Sequence, residues 1–171
     1  MIRTCFRLSM YMMIAAVVQA ADDPGGWTAA KWGMTDAQIL QAIPAATRLD
    51  PPEKNTHAGV QIESLELSGK DFHVLFVPDS KGLLNSVLLV PAAKYEGRGL
   101  DGLFKDLEQL LVEKYGRPWI TNAGKELKQT VDQWSLKTTT IILSLAWSPL
   151  APEMQIITLQ YRRKAADLDK M

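Results

Sequence analysis

Thiols are almost absent from this sequence. Its single cysteine, Cys5, lies ahead of an apolar run from about Leu8 to Val18. Arg3 and Arg7 precede that run, and Val18-Gln19-Ala20 places small residues at the −3 and −1 positions of a cleavage site. This is the pattern of a secretory signal peptide over residues 1–20, with the mature chain starting at Ala21. A lipoprotein would carry a cysteine at the end of the apolar run, whereas Cys5 leaves with the leader. The mature chain then has no thiol, so disulfides, cysteine nucleophiles and thiolate ligands are excluded. Long hydrophobic runs are missing too: the leader's run is shorter than the roughly 20 residues a spanning helix needs, and no later stretch comes closer. The expected product is soluble, periplasmic or secreted, and without a stable membrane anchor.

Charge of one sign is also lacking. Taking Arg3 and Arg7 from the 19 basic residues leaves 17 against 19 acidic ones, a net charge of −2. Nucleic acid is therefore not an expected partner, since its recognition shows as a strong basic excess. Histidine is scarce, with only His57 and His73. A zinc site wants three or four ligands, so no metal and no cofactor is expected. There is no Gly-x-Ser-x-Gly elbow, no Gly-rich phosphate loop and no His-Glu-x-x-His. The expected answer to whether this is an enzyme is no.

What remains is one domain's worth of chain, about 150 residues at 47% hydrophobic overall, enough to bury roughly 70% of its unfolded surface. Thr35 and Gln38 form a capping-box pattern, Ile39, Leu40 and Ile43 make one apolar face, and Pro44 stops the helix. A breaker-rich connection, PAATRLDPPEKNTHAG, follows and reads as a functional or mobile loop. Strand-like runs come next at 60–67, 72–77 and 83–90, with a phase slip that predicts a bulge near Glu63-Ser64. Leu103, Phe104, Leu107, Leu110 and Leu111 form a second helix, ended by Tyr115-Gly116-Arg117-Pro118. Three further strands are expected at 131–137, 139–147 and 154–163, and the tail at 164–171 is expected to be disordered.

The order α-β-β-β-α-β-β-β predicts a single α+β domain over 21–163, a two-layer helix-on-antiparallel-sheet arrangement with both helices on one face. At an offset of about 71 residues Val60 falls on Val131, Ser64-Leu65 on Ser135-Leu136, and Leu88 on Leu159. This leaves open a tandem duplication, with halves of about 27–95 and 96–163.

Gly33-Met34-Thr35 before a short helix, the strand meander, and a Leu-rich helix ending Lys114-Tyr115-Gly116-Arg117-Pro118 carry a resemblance. Across most of the mature chain they resemble small exported α+β proteins of the SmpA/OmlA-type outer-membrane assembly lipoproteins and the β-lactamase-inhibitor-protein fold. The resemblance implies helices on one sheet face, with the other face or its loops binding a protein partner. The chain departs from the lipoprotein pattern in lacking the anchoring cysteine.

Residues expected to point away from the helices are Asp71, His73, Gln133, Ser135, Lys137, Ser144, Gln160 and Arg162, the candidate partner-binding set. The first expectation is an exported, non-enzymatic module that binds an envelope protein through this face. The second is a carrier or sensor of a small apolar ligand held between sheet and helices, suggested by apolar residues on both faces of the 72–77 run, Leu75 and Val77 against Phe72, Val74 and Phe76. The third is a hydrolase-like or metal-dependent enzyme using Asp71 and His73, which share a strand face. Of the five tryptophans, Trp134 and Trp147 fall in phase with core positions. Trp27, Trp32 and Trp119 lie outside the expected elements and either close the ends of the core or anchor a partner.

Overall fold

The computed structural model describes residues 22–92, 100–124, 129–147 and 155–165; the leader read at 1–20, with Cys5, and the tail beyond Ala165 lie outside them. Helix α1 (Asp36–Ala42) starts on the expected capping box. The Gln38 amide donates to the Thr35 hydroxyl at 3.4 Å, and the Thr35 amide donates to the Gln38 side-chain carbonyl at 2.9 Å. Pro44 has no amide to continue the ladder, so the helix closes at seven residues. Helix α2 (Leu100–Tyr115) turns Leu100, Leu103, Phe104, Leu107 and Leu111 inward. Gly116, at φ +79°, donates to the Val112 carbonyl at 2.9 Å and so supplies the left-handed cap.

Strands β1 (Gly26–Trp27) and β2 (Ala30–Lys31) form a small hairpin. Strands β3 (Thr47–Arg48), β4 (Val60–Leu67), β5 (Lys70–Pro78), β6 (Leu84–Pro91), β7 (Ile120–Gly124), β8 (Gln129–Ser135), β9 (Thr139–Trp147) and β10 (Gln155–Arg163) make one antiparallel sheet. Its order among the described residues is β3-β4-β5-β6-β10-β9-β8-β7, eight strands wide. Two meanders, β3 to β6 and β7 to β10, meet where β6 pairs with β10. The β4–β5 turn has Ser68 and Gly69 both at positive φ, 50° and 68°, the geometry that matches the twist of a tight hairpin. The register shift between Ile62 and Leu65 is a bulge at Glu63-Ser64.

The expected α+β class, a two-layer helix-on-antiparallel-sheet with the order α-β-β-β-α-β-β-β, is overturned: the described residues are mostly β, with two short helices among them. Four strands lie in segments that carry no strand signal of their own. Strands β1, β2 and β3 are two residues each, too short for alternation to register. Strand β7 reads Ile-Thr-Asn-Ala-Gly, with one large apolar residue, and is held by pairing along its whole length with β8. The breaker-rich connection is likewise folded. Strand β3 pairs with β4, the Leu49 amide donates to the Gly59 carbonyl at 2.8 Å, and the Glu53 carboxylate accepts from the amides of Asn55 and Thr56. The hydroxyl and amide of Thr56, with the Asn55 amide, hold the Glu53 carboxyl below its ordinary range.

The core lies against one face of the large sheet. Val60, Ile62, Phe72, Val74, Phe76, Val87, Leu89, Ile141, Leu143, Leu145, Ile157 and Leu159 form one cluster with the apolar side of α2, Ile39 of α1 and Trp27 of the hairpin, with α2 lying over β9 and β10 and α1 against β4. Each such burial stabilises by about 1.5–3 kcal/mol before chain entropy is charged against it. Trp27 meets Phe76 edge to face with ring centroids 5.9 Å apart. Tyr161 of β10 and Tyr115 of α2 are both buried in this layer; burial, with Tyr115 beside it, pushes the Tyr161 phenol well above its ordinary value. Trp134 donates its indole N–H to the Gly116 carbonyl at 2.8 Å, tying the end of α2 to β8.

Candidate functional site

Strand alternation leaves the other sheet face without a described helix. On β9, Ile141, Leu143 and Leu145 are buried, whereas Thr140, Ile142, Ser144 and Ala146 are only half-buried. The same parity runs through every long strand, because directly paired residues of an antiparallel sheet share a face. The pairing register builds one row, with one side chain from each strand: Thr47, Gln61, Leu75, Leu88, Gln160, Ile142, Gln133 and Ile120. At about 4.8 Å between strands this row is roughly 34 Å long. The flanking row on one side is Val77, Ser86, Arg162, Thr140 and Ser135. On the other side Ser144 and Thr158 pair, their hydroxyls 2.6 Å apart. Gln160 donates to the Ser86 hydroxyl at 2.8 Å, so polar groups on this face are oriented by one another.

The face also carries large exposed apolar side chains. Ile156 is 52% exposed and Ile120 39%. Trp119, 72% exposed, lies at the start of β7, where its amide donates to the Gln133 carbonyl at 2.7 Å. Beside it opens a cleft of about 690 Å³ whose lining includes Trp119, Gln133, Ser135, Thr140, Arg162 and Lys164. Lys164 is fixed by its own amide, which donates to the Thr138 carbonyl at 2.8 Å.

Of the eight residues predicted to face away from the helices, Asp71, His73, Gln133, Ser135, Ser144, Gln160 and Arg162 share this face by register. Lys137 does not belong to a strand; it lies exposed in the turn between β8 and β9. The eight are not one cluster. Gln133, Ser135 and Arg162 line the cleft, whereas Asp71 and His73 stand toward the far end of β5. There they serve the bulge: the Ser64 hydroxyl donates to Asp71 at 2.9 Å, and His73 Nδ1 contacts the Glu63 carbonyl. Each of the two is thus engaged with β4. Among the described residues no group of three or more His, Cys, Asp or Glu side chains gathers as a metal site. No helix among them is long and apolar enough to cross a membrane.

Several tryptophan expectations separate here. Trp27 is buried, Trp32 is half-buried and donates to the Thr139 hydroxyl at 3.0 Å, and Trp134 is buried, so these close or fill the core. Trp119 does not close the end of the core but stands in solvent. Leu75 and Val77, which suggested an apolar ligand between sheet and helices, belong by register to the face that no described helix covers. Sequence reasoning missed Thr140, Ile142, Ile120 and Ile156 as members of the face. Their alternation with Ile141, Leu143 and Ile157 was the available signal, obscured because both phases of these strands are apolar. It also missed Asp132, a buried carboxylate on the core side of β8. Comparisons with protein-family models, with curated proteins and with solved structures find no match to this chain.

Proposed function

We propose that this chain is an exported, non-enzymatic binding module that recognises a protein of the cell envelope through the uncovered face of the large sheet. The observation that carries the reading is the unbroken row from Thr47 to Ile120, with the rows beside it. The row of eight is roughly 34 Å across the strands, and with the flanking row of five and the Ser144-Thr158 pair, at about 7 Å per row along the strands, it presents about 400 Å², about half of the ~800 Å² that each partner gives to an ordinary protein interface. A small ligand would use only a fraction of that. Half-buried Leu75, Leu88 and Ile142 are interspersed with Gln61, Gln160 and Gln133, a mixture of apolar contact and hydrogen-bonding capacity of the kind protein interfaces use. Trp119 supplies an exposed aromatic of the kind that dominates binding energy when a partner buries it.

The test uses single cysteines, since the mature chain is expected to have none. Photo-crosslinkers at Leu75→Cys and Ile156→Cys on the face, and at Lys105→Cys on the exposed side of α2, are activated in the native compartment. A discrete protein adduct from the two face positions and none from Lys105→Cys is the expected result. Adducts confined to Lys105→Cys, or no protein adduct at either face position, would overturn it.

A further inference from the structure

We propose that the cleft beside Trp119 takes an acidic segment of the partner polypeptide, with carboxylates on Arg162 and Lys164 and an aromatic or aliphatic side chain on the Trp119 indole. This rests on the protein-binding reading of the sheet face and names what one end of that face selects. Among the described residues, no acidic side chain lines the cleft. Arg162 is exposed and Lys164 half-buried, and among the described residues that line the cleft neither meets a carboxylate. Both line the cleft, and two residues apart along extended chain their stems stand about 7 Å apart, a spacing one carboxylate can bridge or two adjacent ones can match. The Lys164 amide bond to Thr138 sets the β8–β9 turn against the end of β10, and Trp119 precedes the strand that pairs with β8.

Two features point to a peptide over a free anion or a membrane. Gln133 offers both a donor and an acceptor, as Ser135 and Thr140 do through their hydroxyls, which suits the amide groups of a backbone lying across the strands. The cleft's volume of about 690 Å³ has room for a few residues, and it opens into the row through Gln133 and Ile142, so a chain can continue across the sheet. A flat anionic bilayer would instead have to approach the whole face. The opposite end of the strands carries exposed Glu63, Glu66 and Asp71, which would repel it.

The experiment titrates the folded mature protein with a short glutamate-rich peptide carrying one tyrosine. Its glutamine-for-glutamate and lysine-for-glutamate counterparts, citrate, and phosphatidylglycerol vesicles serve as comparators, with tryptophan fluorescence as the readout. The glutamate peptide should bind and the other two peptides should not. Binding should weaken about tenfold or more in Arg162→Glu and in Lys164→Glu, weaken in Trp119→Ala, and survive in Arg162→Lys. It should also fall with added salt as the screening length drops from about 10 Å at 0.1 M to about 3 Å at 1 M. Unchanged unfolding midpoints show that each variant still folds. Equal binding of the glutamine peptide, insensitivity to both charge reversals, citrate binding as tightly as the peptide, or vesicle binding lost in the same variants would each overturn the proposal. Face crosslinks retained at full yield in the Arg162→Glu, Lys164→Glu double variant would end it while leaving the sheet-face reading intact. Loss of the face crosslinks in the unaltered protein would remove that broader reading instead.

Discussion

The hydroxyl of Thr139 donates to the carboxylate of Asp23 at 2.8 Å, joining residues 116 positions apart in the chain. The same hydroxyl accepts the indole N–H of Trp32 at 3.0 Å, and Asp23 also accepts the amides of Gly25 and Thr138. Thr139 is fully buried, so its polar group must be satisfied within the protein. This small network pins the start of the described chain to the β8–β9 turn.

Burial alone would raise the Asp23 pKa, but the hydrogen bonds from Gly25, Thr138 and Thr139 together outweigh it and hold the carboxyl below its ordinary 3.8. A depressed carboxyl contributes stability that is present above its unfolded pKa and is lost as pH falls through the lower folded value. Asp23→Asn should therefore flatten the loss of stability below about pH 4 in acid titrations followed by circular dichroism. Asp23→Ala should cost about 1–2 kcal/mol at neutral pH, measured by urea unfolding. An acid profile unchanged in Asp23→Asn would count against this account. Some acid sensitivity should persist in either variant, since Glu53 and Asp79 are depressed as well, Asp79 by the amides of Leu83 and Lys81.

Two glycines should respond to alanine with opposite signs. A Cβ on Gly26, at φ +156°, would lie 2.0 Å from the Ala30 carbonyl oxygen and 2.8 Å from the Lys31 Cα, both backbone atoms of its hairpin partner. Gly26→Ala should open the hairpin, loosen Trp27 from Phe76 and cost more than about 2 kcal/mol. A Cβ on Gly102, inside α2, meets nothing within 4 Å. Gly102→Ala should add about 0.5–1 kcal/mol by reducing the freedom of the unfolded chain. Thermal unfolding of both variants, read beside near-ultraviolet circular dichroism, checks the pair.

Thr35 has a structural task that its replacements can isolate. Removing its hydroxyl in Thr35→Ala should cost about 1 kcal/mol, with Thr35→Ser and Thr35→Asp nearly neutral, because each restores an oxygen that accepts the Gln38 amide. A drop in partner binding at unchanged unfolding free energy would show a role beyond capping.

Trp119 and Leu143 separate binding from folding. Trp119→Ala should leave stability within about 0.5 kcal/mol yet weaken the partner, because the side chain stands 72% exposed. Leu143→Ala, at a position fully buried on the core face, should cost about 2–5 kcal/mol and lower binding only through loss of folded protein. Chemical denaturation and a partner-binding titration on the same preparations distinguish the two.

The sequence by itself determined the elements whose own residues carry a period. Helix α2, the long strands β4, β5, β6, β9 and β10, the capping box at Thr35 and the bulge at Glu63-Ser64 all follow from side chains within a few positions of one another. Strand parity, a local property, also placed Asp71, His73, Gln133, Ser135, Ser144, Gln160 and Arg162 on one face. Tertiary structure alone decided the rest. Strands β1, β2, β3 and β7 have too few patterned residues to declare themselves, and they exist because a neighbouring strand offers its backbone hydrogen bonds, which is why the expected α+β layering gave way to a mostly β protein. Exposure of Trp119 depends on where α2 ends against β8, set by the Trp134 bond to Gly116. The meeting of Arg162, Lys164 and Trp119 at one cleft comes from the pairing of β10, β9, β8 and β7, and the row from Thr47 to Ile120 is completed by the register between β6 and β10. The β6–β10 pairs join residues 70 to 76 positions apart, a separation at which no local pattern can specify a partner.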